Sequence, residues 1–220
     1  MNEDHKITAT DGVMLGGRKP AWHGLGTVIE QDTATTREAL DIAGLNWNVE
    51  QHPVYASADA GDNQPAEIIS AHGYVANVRS DTRSVLAVVS NKYVPVQNNE
   101  AFAFMDELLG GGDARWHTAG SLEGGRKVWG LAMLDREMMI GGEPTEKIEP
   151  YICLATSHDG TLAVTVYTTP IRVVCANTLR WSIDGTSNIW RTRHTTDVKA
   201  RISIARQTLG MSNAYFDELQ

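Results

Sequence analysis

A chain of 220 residues, 42% of them hydrophobic, is long enough to bury one core, so its two cysteines need not staple it. A net charge of −8 argues against a body that grips nucleic acid over its whole surface, and no apolar run is long enough to span a membrane. The polar start MNEDHKITATDG lacks the apolar core of a secretory signal, which predicts a cytoplasmic protein.

Residues 1–20 read as an irregular N-terminal segment, because Gly12, Gly16, Gly17 and Pro20 break any period. The glycines of Ala21-Trp22-His23-Gly24-Leu25-Gly26 do not follow a strand at dinucleotide-fingerprint spacing. Thr35 or Thr36 caps a short helix that Gly44 ends. Trp47 to Tyr55 alternates as a strand, 57–65 is a polar loop, and strands at Gly73–Val78 and Val85–Val89 flank a turn at Asp81-Thr82. Asn98 or Asn99 caps a helix running to about Leu109, with Ala101, Phe104, Met105 and Leu108 on one side. Strands at 114–122 and 127–134 flank Glu123-Gly124-Gly125, and Gly141-Gly142 marks a further turn.

The stretch from Tyr151 to Leu179 carries the strongest pattern. Asp159-Gly160 predicts a tight hairpin turn between strands 151–157 and 161–169. Leu162, Val164 and Val166 share one face, whereas Thr161, Thr165, Tyr167 and Thr169 share the other, so one face is apolar and the other is lined with hydroxyls. Pro170 breaks the ladder, Ile171 to Val174 resumes a β-branched run, and Asn177 caps a helix start before Arg180 and Trp181. Asp184-Gly185 is a turn and Asn188 to Thr192 a strand. Thr195, Thr196 or Asp197 caps a last helix whose Val198, Ile202, Ala205, Leu209, Ser212, Phe216 and Leu219 repeat every three to four residues. That seam is still apolar at Gln220, which implies self-association or a truncated chain. The whole predicts an α+β fold: a mostly antiparallel sheet built from β-hairpins, two or three packed helices and a C-terminal heptad-like helix. The expected organisation is an irregular 1–20, an α+β domain over 21–195 and a C-terminal helix over 196–220.

Charge is distributed unevenly. From residue 170 onward seven Lys or Arg face four Asp or Glu, so residues 1–169 carry −11. The basic face holds Arg172, Arg180, Arg191 and Arg193, interleaved with Tyr167, Trp181 and Trp190: cations for phosphates and rings for unpaired bases. The same residues also fit a solvated surface with tryptophans in the core. His158-Asp159 reads either as a general base with its orienting carboxylate or, more simply, as turn residues with Gly160. Cys153 and Cys175 sit in strand context and read as buried free thiols. The seven histidines form no i,i+4 pair and no H-x-H, so neither a metal nor another cofactor is expected.

Several strings occur here in the order of one family. They are Trp22-His23-Gly24-Leu25-Gly26, Tyr93-x-Pro95-x-Gln97-Asn98, Ala119-Gly120-Ser121-Leu122-x-Gly124-Gly125-Arg126, Ser157-His158-Asp159-Gly160, Thr169 to Leu179 (TPIRVVCANTL), and Arg193-His194-Thr195. Over residues 20–215 the chain resembles the phage/plasmid-like proteins of the domain-of-unknown-function family 932. The resemblance implies a phage, prophage or plasmid origin and hence the host-cell cytoplasm. It brings no catalytic residue.

Three functions remain open. The first is non-enzymatic binding of single-stranded nucleic acid by Thr165, Tyr167, Thr169, Arg172, Arg180, Trp181, Arg191, Arg193 and His194, with a Rad52-like strand-annealing or recombination role by analogy of element order. The second is a counter-defence or assembly protein acting through protein–protein contacts. The third is a nucleic-acid-processing enzyme using His158, Asp159 and His194. The expected partners are single-stranded nucleic acid and a second copy bound through the 197–220 helix, with no membrane.

Overall fold

The computed structural model describes residues 27–29, 35–58, 66–106, 114–134, 138–139, 147–148, 150–170, 189–195, 197–198 and 200. Its elements run β1 (Thr27–Val28), α1 (Thr36–Ile42), β2 (Val49–Ala58), β3 (Glu67–Arg79), β4 (Val85–Ser90), α2 (Asn98–Phe102), β5 (Ala114–Leu122), β6 (Lys127–Leu134), β7 (Met138–Met139), β8 (Lys147–Ile148), β9 (Pro150–Ser157), β10 (Val164–Pro170) and β11 (Ile189–Thr192). Six strands form one sheet in the order β1-β5-β6-β9-β10-β11, and β2-β3-β4 form a second. The pair β7–β8 stands as a short ribbon that the sequence pattern did not announce. The pairing is antiparallel throughout, as a chain of hairpins requires.

Local chemistry explains the helix starts. The Thr35 hydroxyl accepts from the Glu38 amide, and the Glu38 carboxylate accepts from the Thr35 amide, a reciprocal cap that opens α1. The start of α2 differs from expectation. Gln97 is its cap residue, and its amide donates to the Glu100 carboxylate. Asn98 is the first helical residue and turns its side chain inward. The helix tightens into a 3-10 turn over Ala103–Met105, and its expected end near Leu109 lies outside the described residues.

The β9–β10 hairpin pairs as the alternation predicts, with Ala155 opposite Thr165 and Cys153 opposite Tyr167. Its connection is wider than a two-residue turn. The strands end at Ser157 and resume at Val164; of the predicted Asp159-Gly160 pair only Gly160 has a positive φ, 78°. The Ser157 hydroxyl spans the loop, donating to the Leu162 carbonyl and accepting from the Leu162 amide.

The hydroxyl-lined face is corrected by burial. Ile152, Leu154, Val164 and Val166 pack with α1, α2, Trp116 and Val128 on one side of the sheet. On the other, Tyr167 packs with Trp129, Leu131, Met133, Tyr151, Cys153 and Ala155. Both faces of this hairpin are dry: side chains pack on each side of it, and Thr165 and Tyr167 are 0% exposed. The Thr165 hydroxyl donates to the Ala163 carbonyl, so it is satisfied without water. Alternation alone cannot tell a hydroxyl that faces solvent from one that is buried and locally bonded.

Close packing on the helical side depends on Gly130. A Cβ there would sit 2.6 Å from Phe102 Cε1 and 2.9 Å from Trp116 Cζ3, inside the stack these two rings form at 5.5 Å between centroids. Cys153 is a free buried thiol, hydrogen-bonded to Tyr167 and pushed up to about 12 by burial. Thiol labelling of the native chain at Cys153 is therefore expected to be slow and to accelerate on adding denaturant. Fast native labelling at that position, read by peptide mass mapping, contradicts this packing. Cys175, the 171–174 run, the helix start at Asn177 and the seam beyond Val198 lie outside the described residues.

Candidate functional site

Among the described residues, part of the strings that carried the family resemblance converges on one place. Three of them, separated by up to sixty residues, meet at His158, where the end of β9 turns toward α2 and β3. The His158 side chain is fully buried on the helical side of the sheet. Its Nε2 lies 2.9 Å from Asn98 Oδ1. Asn98 Nδ2 donates to the Leu45 carbonyl at 2.8 Å and the Trp47 carbonyl at 3.4 Å, so Oδ1 is the acceptor and His158 carries its proton on Nε2. Nδ1 is then a bare lone pair, with no hydrogen-bond partner among the described residues. The His158 backbone is held as well. Its amide donates to the Arg126 carbonyl and its carbonyl accepts from Asn77 Nδ2.

A shell of rings and one cation surrounds this contact. Trp47 meets the imidazole edge-on at 5.3 Å, and the Arg79 guanidinium stacks 4.4 Å over Trp47. Arg79 also pairs with Asp81 and donates to the Gly124 carbonyl. Gly125 lies beneath, with φ 101°, and a Cβ there would come within 3.0 Å of Arg79 Nη1 and of Trp47 Cζ2. The Gly124-Gly125-Arg126 string thus admits a stacked Arg–Trp pair and offers its carbonyls to Arg79 and His158.

His194 approaches the same region from β11. It stacks on Tyr93 at 4.7 Å, its Nε2 lies 3.3 Å from the Thr156 hydroxyl, and its carbonyl accepts from the Val94 amide. The Tyr93 hydroxyl donates to the Ser157 carbonyl at 2.7 Å. Both imidazoles are pushed toward the neutral form. Burial, then the nearby His194, lowers His158 to about 4 against the opposing pull of Asp159. Burial lowers His194 despite the backbone carbonyls of Val94 and Leu162. Burial also raises the Tyr93 hydroxyl, with Asp159 adding to it.

Asp159 does not orient His158. Its carboxylate accepts from the Thr161 amide and hydroxyl, closing the turn. Burial would raise its pKa, yet these bonds and the Ser157 hydroxyl hold it below the usual carboxylate range. Asp159 and Gly160 lie in the connection, whereas His158 is bound to Asn98, Asn77 and Arg126. What the site does chemically is to lock three chain segments through neutral imidazoles. Asn98, Trp47, Arg79 and Asn77 were not legible as neighbours of His158, nor Tyr93 as that of His194; the shared family strings were the only signal that joined any of them.

The nine residues expected to bind nucleic acid do not share one open surface. Thr165 and Tyr167 are buried, as described. His194 is only 7% exposed and points, like Trp190 and Thr192, to the helical side. Arg191 and Arg193 are exposed and alternate to the other side, Arg191 opposite Thr165 on the outermost described strand of the sheet. The β10 backbone includes Thr169, whereas Arg172, Arg180 and Trp181 lie outside the described residues. Among the described residues no group of three His, Cys, Asp or Glu could hold a metal, and no helix is long and apolar enough to cross a membrane.

Fold and site together define a class: an antiparallel-sheet α+β protein whose hairpin turns are tied by a buried asparagine–histidine cluster. The chain belongs to the family of the domain of unknown function DUF932, whose model matches residues 85–220. The match begins at β4, so α1, β2 and β3 precede it, and it starts later than the residue-20 limit of the sequence resemblance. The comparisons with curated proteins and with solved structures found no match.

Proposed function

We propose that this is a non-enzymatic protein of phage, prophage or plasmid origin that binds single-stranded nucleic acid at the β11 edge, in a strand-annealing or recombination role. The observation that supports this reading is the exposed pair Arg191, on the outermost described strand of the sheet, and Arg193, just past its end. Lys92 is also exposed and adjoins Tyr93, which stacks on His194, so cations flank that ring pair along both chain segments. Such an edge would hold phosphates by charge and without sequence preference. The cytoplasm of the host cell is the compartment this reading implies.

The test is fluorescence anisotropy with a labelled single-stranded oligonucleotide across a salt series. Binding should weaken with a log–log slope of about −0.7 per phosphate neutralised. Replacing Arg191 and Arg193 with Ala should flatten that slope by roughly 1.4, with circular dichroism checking that the variant is folded. Absence of wild-type binding at low salt defeats the reading. A counter-defence or assembly protein acting through protein contacts is the second reading, and an exposed apolar sheet supports it.

A further inference from the structure

Among the described residues seven large apolar side chains stand exposed, and six of them belong to β2, β3 and β4: Tyr55, Ile68, Ile69, Tyr74, Val85 and Val88. Scattered single exposures are ordinary, but this concentration on one sheet is not. The sheet has two sides. Asn77, Val75 and Val89 face the body, where Asn77 holds His158 and Val89 lies against the Gly160 turn. Tyr74, Val85 and Val88 share the opposite side by register, with Val88 beside Ala76 and Ala76 beside His52. Beyond the register shift after Pro53, β2 and β3 pair only with each other, so the outer hairpin carries Tyr55, Ile68 and Ile69 into solvent without a third strand.

We propose that this sheet is the docking surface for a second copy of the chain, packed across a two-fold axis through its outer side. Three observations select that occupant. Residues 51–58 and 66–78 contain no Lys or Arg and one acid, Glu67, so neither a polyanion nor a strongly charged peptide finds its counterpart there. Two copies that each carry −8 repel, and they meet with least opposition at a face nearly free of charge. A two-fold contact must be complementary to itself, which an uncharged apolar face satisfies and a single-sign charged face does not. The polar groups lie at the proximal rim, where Glu50 pairs with Arg83 and His52 and Arg79 pairs with Asp81. An apolar centre with a polar rim is the anatomy of an interface. Ile68 and Ile69 are consecutive in β3 and project to opposite sides, so five of these side chains at most share one side; each near half exposure, five place on the order of 500 Å² of apolar surface in water, more than half of the ~800 Å² that one partner gives to a standard interface. This surface is separate from the Arg191–Arg193 edge and does not depend on nucleic-acid binding.

Sedimentation velocity of the full chain across a concentration series tests the proposal, together with the triple variant Ile69→Thr, Tyr74→Ser, Val88→Asp. These positions are exposed, so the variant should fold, which circular dichroism and denaturant unfolding check. The wild type is expected to be dimeric at micromolar concentration and the variant to dissociate at least about 100-fold more readily. A wild type that stays monomeric to about 100 μM overturns the proposal, since weaker association gives no stable dimer. A folded variant that keeps the wild-type dimer also overturns it and moves the contact elsewhere, the 197–220 segment included. Co-sedimentation of a monomeric wild type with neutral lipid vesicles, lost in the variant, overturns it in favour of a lipid surface.

Discussion

Acidification from pH 7 to pH 4 is expected to remove about 3 kcal/mol of folding stability through His158 alone. Its folded pKa, about 4, lies below the ~6.5 of a free imidazole, because protonation would place a charge among Trp47, Asn98 and the neighbouring His194. Between those values the unfolded chain binds the proton and the folded chain does not. Stability is therefore complete above the unfolded value and falls as pH drops from about 6.5 to about 4, by about 1.4 kcal/mol for each pH unit. His194 shifts in the same direction and adds to the slope. Urea unfolding at half-unit steps from pH 7.5 to 4.5 measures this. His158→Gln provides the control, since its side-chain amide can still donate to Asn98 but does not titrate. The variant should be flatter between pH 5 and 6.5, where few carboxylates change state. Equal slopes for the two proteins remove His158 as the cause.

Asn98→Leu should be the most damaging single change in the polar cluster. It is nearly isosteric, yet it leaves the Leu45 carbonyl, the Trp47 carbonyl and the Nε2–H of His158 without their partner, all in a site where Asn98 is 1% exposed. An unpaired buried polar group costs about 1–3 kcal/mol, so the loss should reach roughly 3–6 kcal/mol, a large share of the ~5–15 kcal/mol typical of a domain. The adjacent Asn99 is exposed, and Asn99→Leu should stay within about 0.5 kcal/mol. Chemical denaturation of both variants decides the matter. Equal small losses would show that the cluster relaxes or hydrates around the leucine.

These two expectations separate what is encoded locally from what is not. The hairpins at Asp81-Thr82, Glu123-Gly124-Gly125 and Gly160 and the Thr35 cap were legible residue by residue, because turn and cap chemistry operates over three or four positions. The antiparallel pairing of β9 with β10 followed from the same short-range rules. The six-stranded order, by contrast, places β9 beside β6, a pairing between segments that no short-range rule joins. Thr165 and Tyr167 look like an exposed hydroxyl row in the alternation, and only the neighbouring layers remove them from water. Asn98 reads as a helix cap by residue type. The packing of 45–47 and His158 around it turns it instead into a buried bridge, while Gln97 takes the cap position. The tautomer of His158, the burial of His194 and the outward set of Arg191 and Arg193 depend on contacts between segments up to eighty residues apart. The amino-acid sequence by itself determined where the hairpins turn, the Thr35 cap and the alternation along β9 and β10, since those arise between near neighbours. Which side of each strand meets water was decided by the tertiary structure, because desolvation depends on the layer that packs above a residue and not on the residue alone.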